Sequence, residues 1–336
     1  MEEEIGYFAE RIQRLREEIG RVLVGQSAVI DGVLACLVAD GHALLEGVPG
    51  LGKTLLVRTL SECLALDFQR IQFTPDLMPA DIVGTHILEE TESGSRRMVF
   101  QEGPVFSQIL LADEINRATP KTQSAMLEAM QERQVTIGGQ RRLLPQPFFV
   151  MATQNPLEME GTYPLPEAQL DRFFYKIQVP FPNLKELVEV MHRTTGNQKQ
   201  SVSAILKPEE LLRMRTIVRD VHLAPEVLTY AMRLILGSHP DSEQGTPAAK
   251  QYVRYGASPR GAQALILGGR VNALMDGRFH VAIKDVRKAA MPALRHRIGL
   301  NFDAESEGMS ADDVVGLLLD EVPEVDAATA REMGIR

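Results

Sequence analysis

The stretch Gly47–Thr54, GVPGLGKT, lies between a short apolar run that begins at His42 and a segment with helical spacing. It matches the pattern GxxxxGK[ST], in which glycines let successive backbone N–H groups turn towards a bound phosphate. Lys53 can reach the outer phosphates, Thr54 can bind Mg²⁺ through its hydroxyl, and the following helix presents its positive end to the anion. A glycine-rich turn is the alternative, but the position between a strand and a helix favours a phosphate-binding loop.

Two adjacent carboxylates end another apolar run, in LLADEINRA at 110–118. Carboxylates at the edge of a buried strand are costly unless a cation meets them. Downstream of a phosphate loop, Asp113 is placed to hold Mg²⁺ together with Thr54, and Glu114 to polarise an attacking water. Alternatively, the pair supplies favourable charge at the start of a helix near Thr119. The phosphate loop favours the first interpretation.

Short apolar runs alternate with helix-like segments along the first part of the chain. Each run is short enough to be a buried strand, and the alternation predicts an α/β fold with a mainly parallel sheet flanked by helices. The runs are HALLE from His42, FQRIQF from Phe68, QILLAD from Gln108, PFFVMATQ from Pro147 and FFYKIQV from Phe173. Helical spacing precedes them in 5–24, with an apolar stripe, and in 27–39.

Two segments interrupt the alternation of strands and helices and predict β-hairpins inserted into the α/β core. The first, 82–100, reads as two extended segments around TESGS. The second, 134–144, has the same form around IGGQ, where Gly138 and Gly139 make a favourable hairpin turn.

The composition changes near 195–203 (TTGNQKQSVS), which is polar enough for a linker. From Pro208 to about Leu300 the pattern is mostly helical, with one stripe at 211, 214, 217 and 218 and another at 228, 232, 235 and 236. An acidic tail follows, with one short apolar helix around 314–319. We therefore predict an N-terminal helix (1–21), an α/β core (22–197), a small all-helical domain (198–303) and an acidic tail (304–336).

The bulk properties narrow the class of protein. The 336 residues suffice for about two domains of roughly 150 residues. A net charge of −9 argues against non-specific coating of nucleic acid or an anionic membrane. Cys36 and Cys63 are too few for a disulfide framework and predict buried thiols in a reducing compartment. An acidic N-terminus and the lack of an apolar run near 20 residues predict a cytoplasmic protein with no membrane insertion.

Three further polar residues lie next to the end or the beginning of a predicted strand or helix. Asn155 ends an apolar strand in FFVMATQNP, where a short amide can orient a water or touch a phosphate, although an asparagine before proline is often a turn residue. Arg172 precedes the last strand in LPEAQLDRFF, and Arg260 opens a helix in ASPRGAQAL. Spacing alone does not single out either arginine.

Taken together, the phosphate loop, DEINRA, ATQNP, LPEAQLDRF and SPRGAQAL resemble the MoxR family of AAA+ ATPases in content and order. The resemblance covers about 22–300, and the two hairpins fall where that clade carries a helix-2 insert and a pre-sensor-1 hairpin. It implies an AAA+ core with ATP/ADP and Mg²⁺, followed by a helical lid. The residues expected to contact nucleotide are Val24, Gly25, Gln26, Gly47, Val48, Pro49, Gly50, Leu51, Gly52, Lys53, Thr54 and Leu55.

The resemblance also implies catalytic roles. Lys53 and Thr54 belong to Walker A, Asp113 and Glu114 to Walker B. The other roles that it implies are Asn155 as sensor 1, Arg172 as arginine finger and Arg260 as sensor 2. AAA+ proteins form rings, commonly hexamers, so a finger from one subunit can meet the phosphates bound by its neighbour.

Arg117 is the second candidate for the finger, because it lies just past the carboxylate pair. It can equally pair with Glu114 within one subunit and hold that carboxylate in reserve. Arg260 is expected to touch the γ-phosphate across the cleft between core and lid, and the lid to rotate about the 195–203 linker when that phosphate is lost.

The family resemblance implies a remodelling, chaperone-like ATPase acting on a protein client. Partners with von Willebrand A domains, in metal-cofactor insertion or complex assembly, are typical of the family. A nucleic-acid motor is one alternative, because the hairpin with Arg141 and Arg142 can touch a phosphate backbone. The acidic net charge and the lack of aromatic residues interleaved with those arginines speak against it. The other is a nucleotide-gated binding module with little hydrolysis.

Overall fold

A computed structural model describes residues 2–90, 96–156, 161–196 and 201–324. The first half of the chain contains α1 (Glu2–Val22), α2 (Ser27–Val38), β1 (Ala43–Glu46), α3 (Lys53–Leu64), β2 (Phe68–Gln72), α4 (Pro79–Val83), β3 (Gly84–Glu90), β4 (Arg96–Glu102), β5 (Ile109–Asp113), α5 (Pro120–Glu132), β6 (Gln134–Ile137), β7 (Gln140–Leu143) and β8 (Phe149–Gln154). The second half contains α6 (Glu167–Leu170), β9 (Tyr175–Gln178), α7 (Leu184–Thr195), α8 (Pro208–Asp220), α9 (Pro225–Gly237), α10 (Pro247–Tyr252), β10 (Val253–Tyr255), α11 (Pro259–Met275), α12 (Ile283–Leu294), β11 (Gly299–Leu300), α13 (Phe302–Ser306) and α14 (Ala311–Glu321).

The five predicted strands form one parallel sheet in the order β2-β5-β8-β1-β9. Side chains alternate between its two faces. Leu45 and Leu111 point to the cluster that contains α1, α2 and α3, whereas Leu44 and Leu110 point to the cluster that contains α5. Both faces of β1, β5 and β8 are buried, so these three strands read as continuous apolar runs, whereas the edge strand β2 carries exposed polar residues.

Both predicted hairpins are present. β3 pairs antiparallel with β4, and β6 with β7, where Gly138 and Gly139 both have positive φ (57° and 79°) as a tight two-residue turn requires. The TESGS turn lies outside the described residues. The guanidinium of Arg142 stacks over the Phe100 ring, 4.0 Å from its centroid, and joins one hairpin to the other.

The lid is helical, as predicted, except for a short antiparallel pair of β10 and β11 that the sequence did not indicate. The stripe predicted on α8 is buried. The stripe predicted on α9 is only partly correct. Ile235 is buried and Met232 packs against the core, whereas Leu228 and Leu236 are exposed and the helix buries Tyr230, Ala231 and Leu234 instead. The helix predicted around 314–319 is present as α14, which packs against α10 and α12.

Helix α1 joins the core to the lid. It packs on α2 and α3 of the core and on α8 and α11 of the lid. Tyr7 donates a hydrogen bond to Glu210 (3.2 Å), and Arg213 donates one to Glu4 (2.8 Å). One apolar cluster therefore runs from α1 through the sheet into the lid. Part of the predicted linker, 197–200, lies outside the described residues.

Cys36 and Cys63 are free and buried, as predicted. None of the helices within the described ranges combines the length and hydrophobicity that a membrane-spanning segment requires.

Candidate nucleotide site

The phosphate-loop pattern forms a tight loop at the carboxyl end of β1. Gly50 and Gly52 have φ of 85° and 77°, which side chains with a Cβ rarely adopt, and α3 begins directly after them at Lys53. The Lys53 ammonium donates to the carbonyl of Gly47 (2.6 Å), across the loop. Its partial burial lowers the pKa of Lys53, while Asp113, Glu114 and Glu46 act in the opposite direction.

Two cavities open on either side of this loop. The larger, about 840 Å³, is mainly apolar, and its walls include Gln26, Ala28, Val29, Gly47, Val48, Leu51, Pro156, Val179, Phe181, Pro292 and Arg295. The smaller, about 450 Å³, is lined by Pro49, Gly50, Gly52, Lys53, Thr54, Leu55, Arg70, Gln72, Asp113, Glu114 and Asn155. A nucleotide needs an apolar cavity for its base and a polar one for its phosphates, so we call the larger the base cavity and the smaller the phosphate cavity. Every residue predicted in 47–55 lines one of the two.

The segment predicted beside the adenine reaches the larger cavity through Gln26. This residue lines the cavity and donates from its side-chain amide to the carbonyl of Leu51 (3.0 Å). Val24 and Gly25 precede it and are not among the cavity-lining residues. Gly25 has a positive φ of 66°, and a Cβ there would lie 2.4 Å from the Glu186 carboxylate. Gly25 thus allows the close turn that places Gln26.

Asp113 ends β5 with both carboxylate oxygens engaged. Its Oδ1 accepts a hydrogen bond from the buried Thr153 hydroxyl (2.6 Å). Its Oδ2 accepts from the guanidinium of Arg70 on β2, at 2.7 and 3.2 Å. Because Arg70, Asp113 and Thr54 all line the smaller cavity, Arg70 occupies part of the carboxylate that a metal ion in this cavity would need.

Glu114 has a strained backbone conformation, and its carboxylate is hydrogen-bonded to two side chains. Its φ of 56° is in the left-handed region, and its N–H donates to the Thr153 hydroxyl (2.8 Å). Its Oε2 accepts from the Gln72 amide (2.6 Å) and from the guanidinium of Arg117 (3.0 Å). The contact between Arg117 and Glu114 within one chain is one of the two arrangements considered from the sequence.

The donor set suits a magnesium ion that is bound mainly by phosphate. Across the described ranges no group of three or more His, Cys, Asp or Glu side chains is arranged to hold a metal ion. Mg²⁺ at phosphate sites usually takes only one or two protein oxygens and completes its shell with phosphate and water. The Thr54 hydroxyl and the Asp113 carboxylate line the same cavity and fit that role.

Asn155, the predicted sensor 1, lines the phosphate cavity at the carboxyl end of β8. It lies beside the loop because β8 pairs with β1 in parallel, with Gln154 opposite Glu46. The structure therefore brings Lys53, Thr54, Asp113, Glu114 and Asn155 to one edge of the sheet.

Arg172 and Arg260 lie at the opposite edge. Arg172 lies three residues before Tyr175, the first residue of β9, whose last residue, Gln178, pairs with Glu46 beside the phosphate loop. The intervening strand spans about 13 Å at roughly 3.3 Å per residue. Arg260 contacts Asp171 (3.3 Å) and Gln131 (3.4 Å) at this amino edge. The prediction that Arg260 touches the γ-phosphate across its own domain cleft is wrong for this arrangement of core and lid.

Comparison with known families agrees with this geometry. Residues 42–175 match the profile described as "ATPase family associated with various cellular activities (AAA)", and residues 246–316 match "AAA lid domain". Chaperone MoxR1 of Mycobacterium tuberculosis is 42% identical over 318 residues, which cover 94% of this chain and 83% of that protein. The chain belongs to the MoxR family of AAA+ ATPases.

Other relatives and a solved structure also match nearly the whole chain. The protein MoxR of Paracoccus denitrificans is 30% identical, with 90% of this chain and 92% of that protein covered. YeaC of Bacillus subtilis is 40% identical, with 89% and 90% covered. A crystal structure of a Cytophaga hutchinsonii protein that is 42% identical has a TM-score of 0.88 and covers 96% of this chain and 97% of its own.

The MoxR-type site also contains residues that sequence reasoning missed. Arg70 and Gln72 reach the carboxylates from β2, where two polar residues at alternate positions beside the DE strand were the available signal. Phe181, Pro292 and Arg295 line the base cavity from segments far apart in sequence, and no local pattern marks them.

Proposed function

We propose that this AAA+ ATPase hydrolyses ATP in a ring, commonly a hexamer in this class, with each nucleotide shared between two copies of the chain. One observation carries the proposal: the phosphate-binding groups lie at one edge of the parallel sheet, and Arg172 and Arg260 lie at the opposite edge. A subunit cannot bring Arg172 to its own phosphates. In a ring, however, the amino edge of one sheet can face the carboxyl edge of the next.

We propose the roles within one subunit on the basis of these contacts. Lys53 and the N-terminus of α3 bind the phosphates, and Thr54 and Asp113 hold Mg²⁺, which neutralises phosphate charge when bound. Glu114 orients and polarises the attacking water once Gln72 and Arg117 release it. Asn155 holds that water or the γ-phosphate at the end of β8.

The neighbouring subunit supplies the remaining charge. Arg172 is the proposed finger, and Arg260, held beside it through Asp171, is proposed to act on the same neighbouring nucleotide rather than on its own. In other nucleotide hydrolases an arginine finger accelerates hydrolysis by about 10³- to 10⁵-fold. Because Arg117 pairs with Glu114 inside one chain, we place it second as a finger.

We propose that the energy of hydrolysis remodels a protein client. The named relative Chaperone MoxR1 supports this class of activity. The hairpins expose Leu88, Met98 and Leu143 (58%, 63% and 79%), which suits contact with apolar segments of a client. A partner with a von Willebrand A domain, and a role in metal-cofactor insertion or assembly, follow from the family resemblance.

The test measures ATP hydrolysis against protein concentration, with light scattering on the same samples, for the wild type, Glu114→Gln and Arg172→Ala. A rate per subunit that rises as rings form, and that Arg172→Ala abolishes without preventing assembly, is the expected result. A rate independent of concentration, or one unaffected by Arg172→Ala, would contradict the shared site and make Arg117 the leading finger.

A second candidate, the nucleotide-gated binding module, is favoured by the engagement of Glu114 with Gln72 and Arg117. If this engagement persists with ATP bound, the protein switches shape with little turnover. Measurable hydrolysis that Glu114→Gln abolishes would exclude this candidate.

A further inference from the structure

A single buried arginine of the lid holds the turn that presents Arg172. Arg297 is 5% exposed, and its guanidinium donates to the Asp171 carboxylate (2.8 Å) and to the carbonyls of Asp171 (2.9 Å), Phe173 (2.5 Å) and Phe174 (3.1 Å). It also donates to the carbonyl of Ala293 in its own domain. The backbone on both sides of Arg172 is thus bound to the lid.

The Asp171 carboxylate is held from further sides by the start of α11. The Ser258 hydroxyl lies 2.8 Å from each of its oxygens, and Arg260 donates to Oδ2 (3.3 Å). Three lid residues therefore converge on the side chain next to Arg172.

The lid segment 292–297, which contains Arg297, also reaches the nucleotide cavity of its own subunit. Pro292 and Arg295 line the larger cavity, and Arg295 donates to the carbonyl of Lys176 in β9 (3.4 Å). His296 is bonded to the carbonyl of Phe173 (3.0 Å). The segment 292–297 runs along β9 from the base cavity at one edge of the sheet to the Arg172 turn at the other.

We propose that Arg297 is a positioning residue for the arginine finger, and that the segment 292–297 transmits the state of one nucleotide cavity to the site that Arg172 enters in the next subunit. This inference rests on the proposed function, because it requires Arg172 to act in the neighbour. A finger must meet phosphate oxygens at hydrogen-bond distance, and a shift of about 1 Å in such a group can cost about 10²-fold in rate. The planar guanidinium of Arg297 donates to five acceptors at once, whereas a lysine ammonium has only three N–H donors and no fixed fork.

Mixed rings separate a finger role from a general structural role. Glu114→Gln subunits can donate a finger but cannot hydrolyse, and Arg172→Ala subunits retain a catalytic glutamate but lack a finger. Each is expected to be inactive alone, and a mixture regains ATPase activity where a donor faces an acceptor. Arg297→Lys is then placed either in the Glu114→Gln donor or in the Arg172→Ala acceptor, and co-purification through a tag on one population verifies the mixing.

The expected result is asymmetric. Arg297→Lys in the donor lowers the regained rate by about 10²-fold, because the finger is no longer fixed, whereas in the acceptor it leaves the regained rate unchanged. Equal losses from both positions would show that Arg297 only supports the lid and would overturn the proposal, as would no loss from either. No regained activity in the mixture without Arg297→Lys would contradict the trans finger itself, and with it the proposed function.

Two further variants distinguish a loss of finger positioning from misfolding of the lid. Ser258→Ala removes one hydroxyl contact to Asp171 and leaves the buried charge in place, so a smaller loss, again confined to the donor, is expected. Arg278→Lys is the matched control, because Arg278 pairs with the buried Asp285 in the same domain, away from the finger. It should leave the regained rate unchanged in either subunit, and thermal melting of every subunit reports folding directly.

Discussion

Arg70 is expected to compete with magnesium for Asp113, so Arg70→Ala should tighten magnesium binding. The guanidinium donates twice to Asp113 Oδ2, and Arg70, Asp113 and Thr54 all line the phosphate cavity. A cation that binds there must first displace this pair. Removing Arg70 abolishes that cost and leaves the carboxylate available.

The expected gain in Mg²⁺ affinity follows from the exposure of the Arg70–Asp113 pair. Hydrogen bonds to charged groups contribute about 1.5–3 kcal/mol when well shielded. The Arg70 side chain is 47% exposed, so solvent screening reduces the contribution to about 1 kcal/mol. Since about 1.4 kcal/mol corresponds to a tenfold change in affinity, the half-saturating Mg²⁺ concentration should fall about fivefold.

The assay follows the fluorescence of a labelled ADP, which this reaction does not consume, as Mg²⁺ is titrated. Electron paramagnetic resonance of Mn²⁺ gives a second measure that does not depend on the label. Arg97→Ala is the control, because it removes the same charge from an exposed pair with Glu89 on a hairpin. A half-saturating concentration that is unchanged or higher in Arg70→Ala, or one that falls equally in Arg97→Ala, would refute the reasoning.

Three further predictions concern groups around the sheet. Gln72→Ala should raise basal ATPase activity about fivefold, since it removes a hydrogen bond of about 1 kcal/mol that restrains Glu114; a lowered rate would mean that Gln72 assists the chemistry. Arg117→Ala should likewise retain or raise turnover if Arg117 restrains Glu114, whereas loss of turnover with intact rings would identify it as the finger. Burial lowers the pKa of His42 to about 4 from about 6.5, so the unfolded chain binds the extra proton and stability falls as the pH drops below 6.5. Between pH 7 and pH 5 this costs about 2 kcal/mol, and urea unfolding should show a shallower pH dependence in His42→Gln.

The sequence predicted the core well because its signals are local. Apolar runs buried on both faces, the glycines of 47–52 and the Gly138-Gly139 turn each specify their own conformation, and the order of the elements then determines a parallel sheet. The buried face of α9 is only partly predicted by the sequence, because PEVLTYAMRLILG has apolar residues on adjoining faces. Only the packing against the rest of the lid decides which face is buried.

The parts that sequence did not predict depend on contacts between distant segments. Arg260 was assigned to its own phosphates, yet the packing of the lid on β9 and on the Arg172 turn carries it to the opposite edge. Arg70 and Gln72 engage the two carboxylates only because β2 pairs beside β5. Their alternate spacing is the only local signal, and polar residues at alternate positions are common on any surface strand.

These contacts imply that two separate events are needed before ATP is cleaved at the proposed shared site. Within a subunit, Asp113 and Glu114 are both engaged by side chains from β2, an edge strand of the sheet, and Mg²⁺ with nucleotide must release them. Between subunits, the arginines at the amino edge must reach the next carboxyl edge, and the lid holds them through Asp171. Neither event completes the site alone, because the first supplies no arginine and the second leaves Glu114 restrained. Hydrolysis would therefore follow both nucleotide loading and ring contact, so that an isolated subunit holds ATP without consuming it.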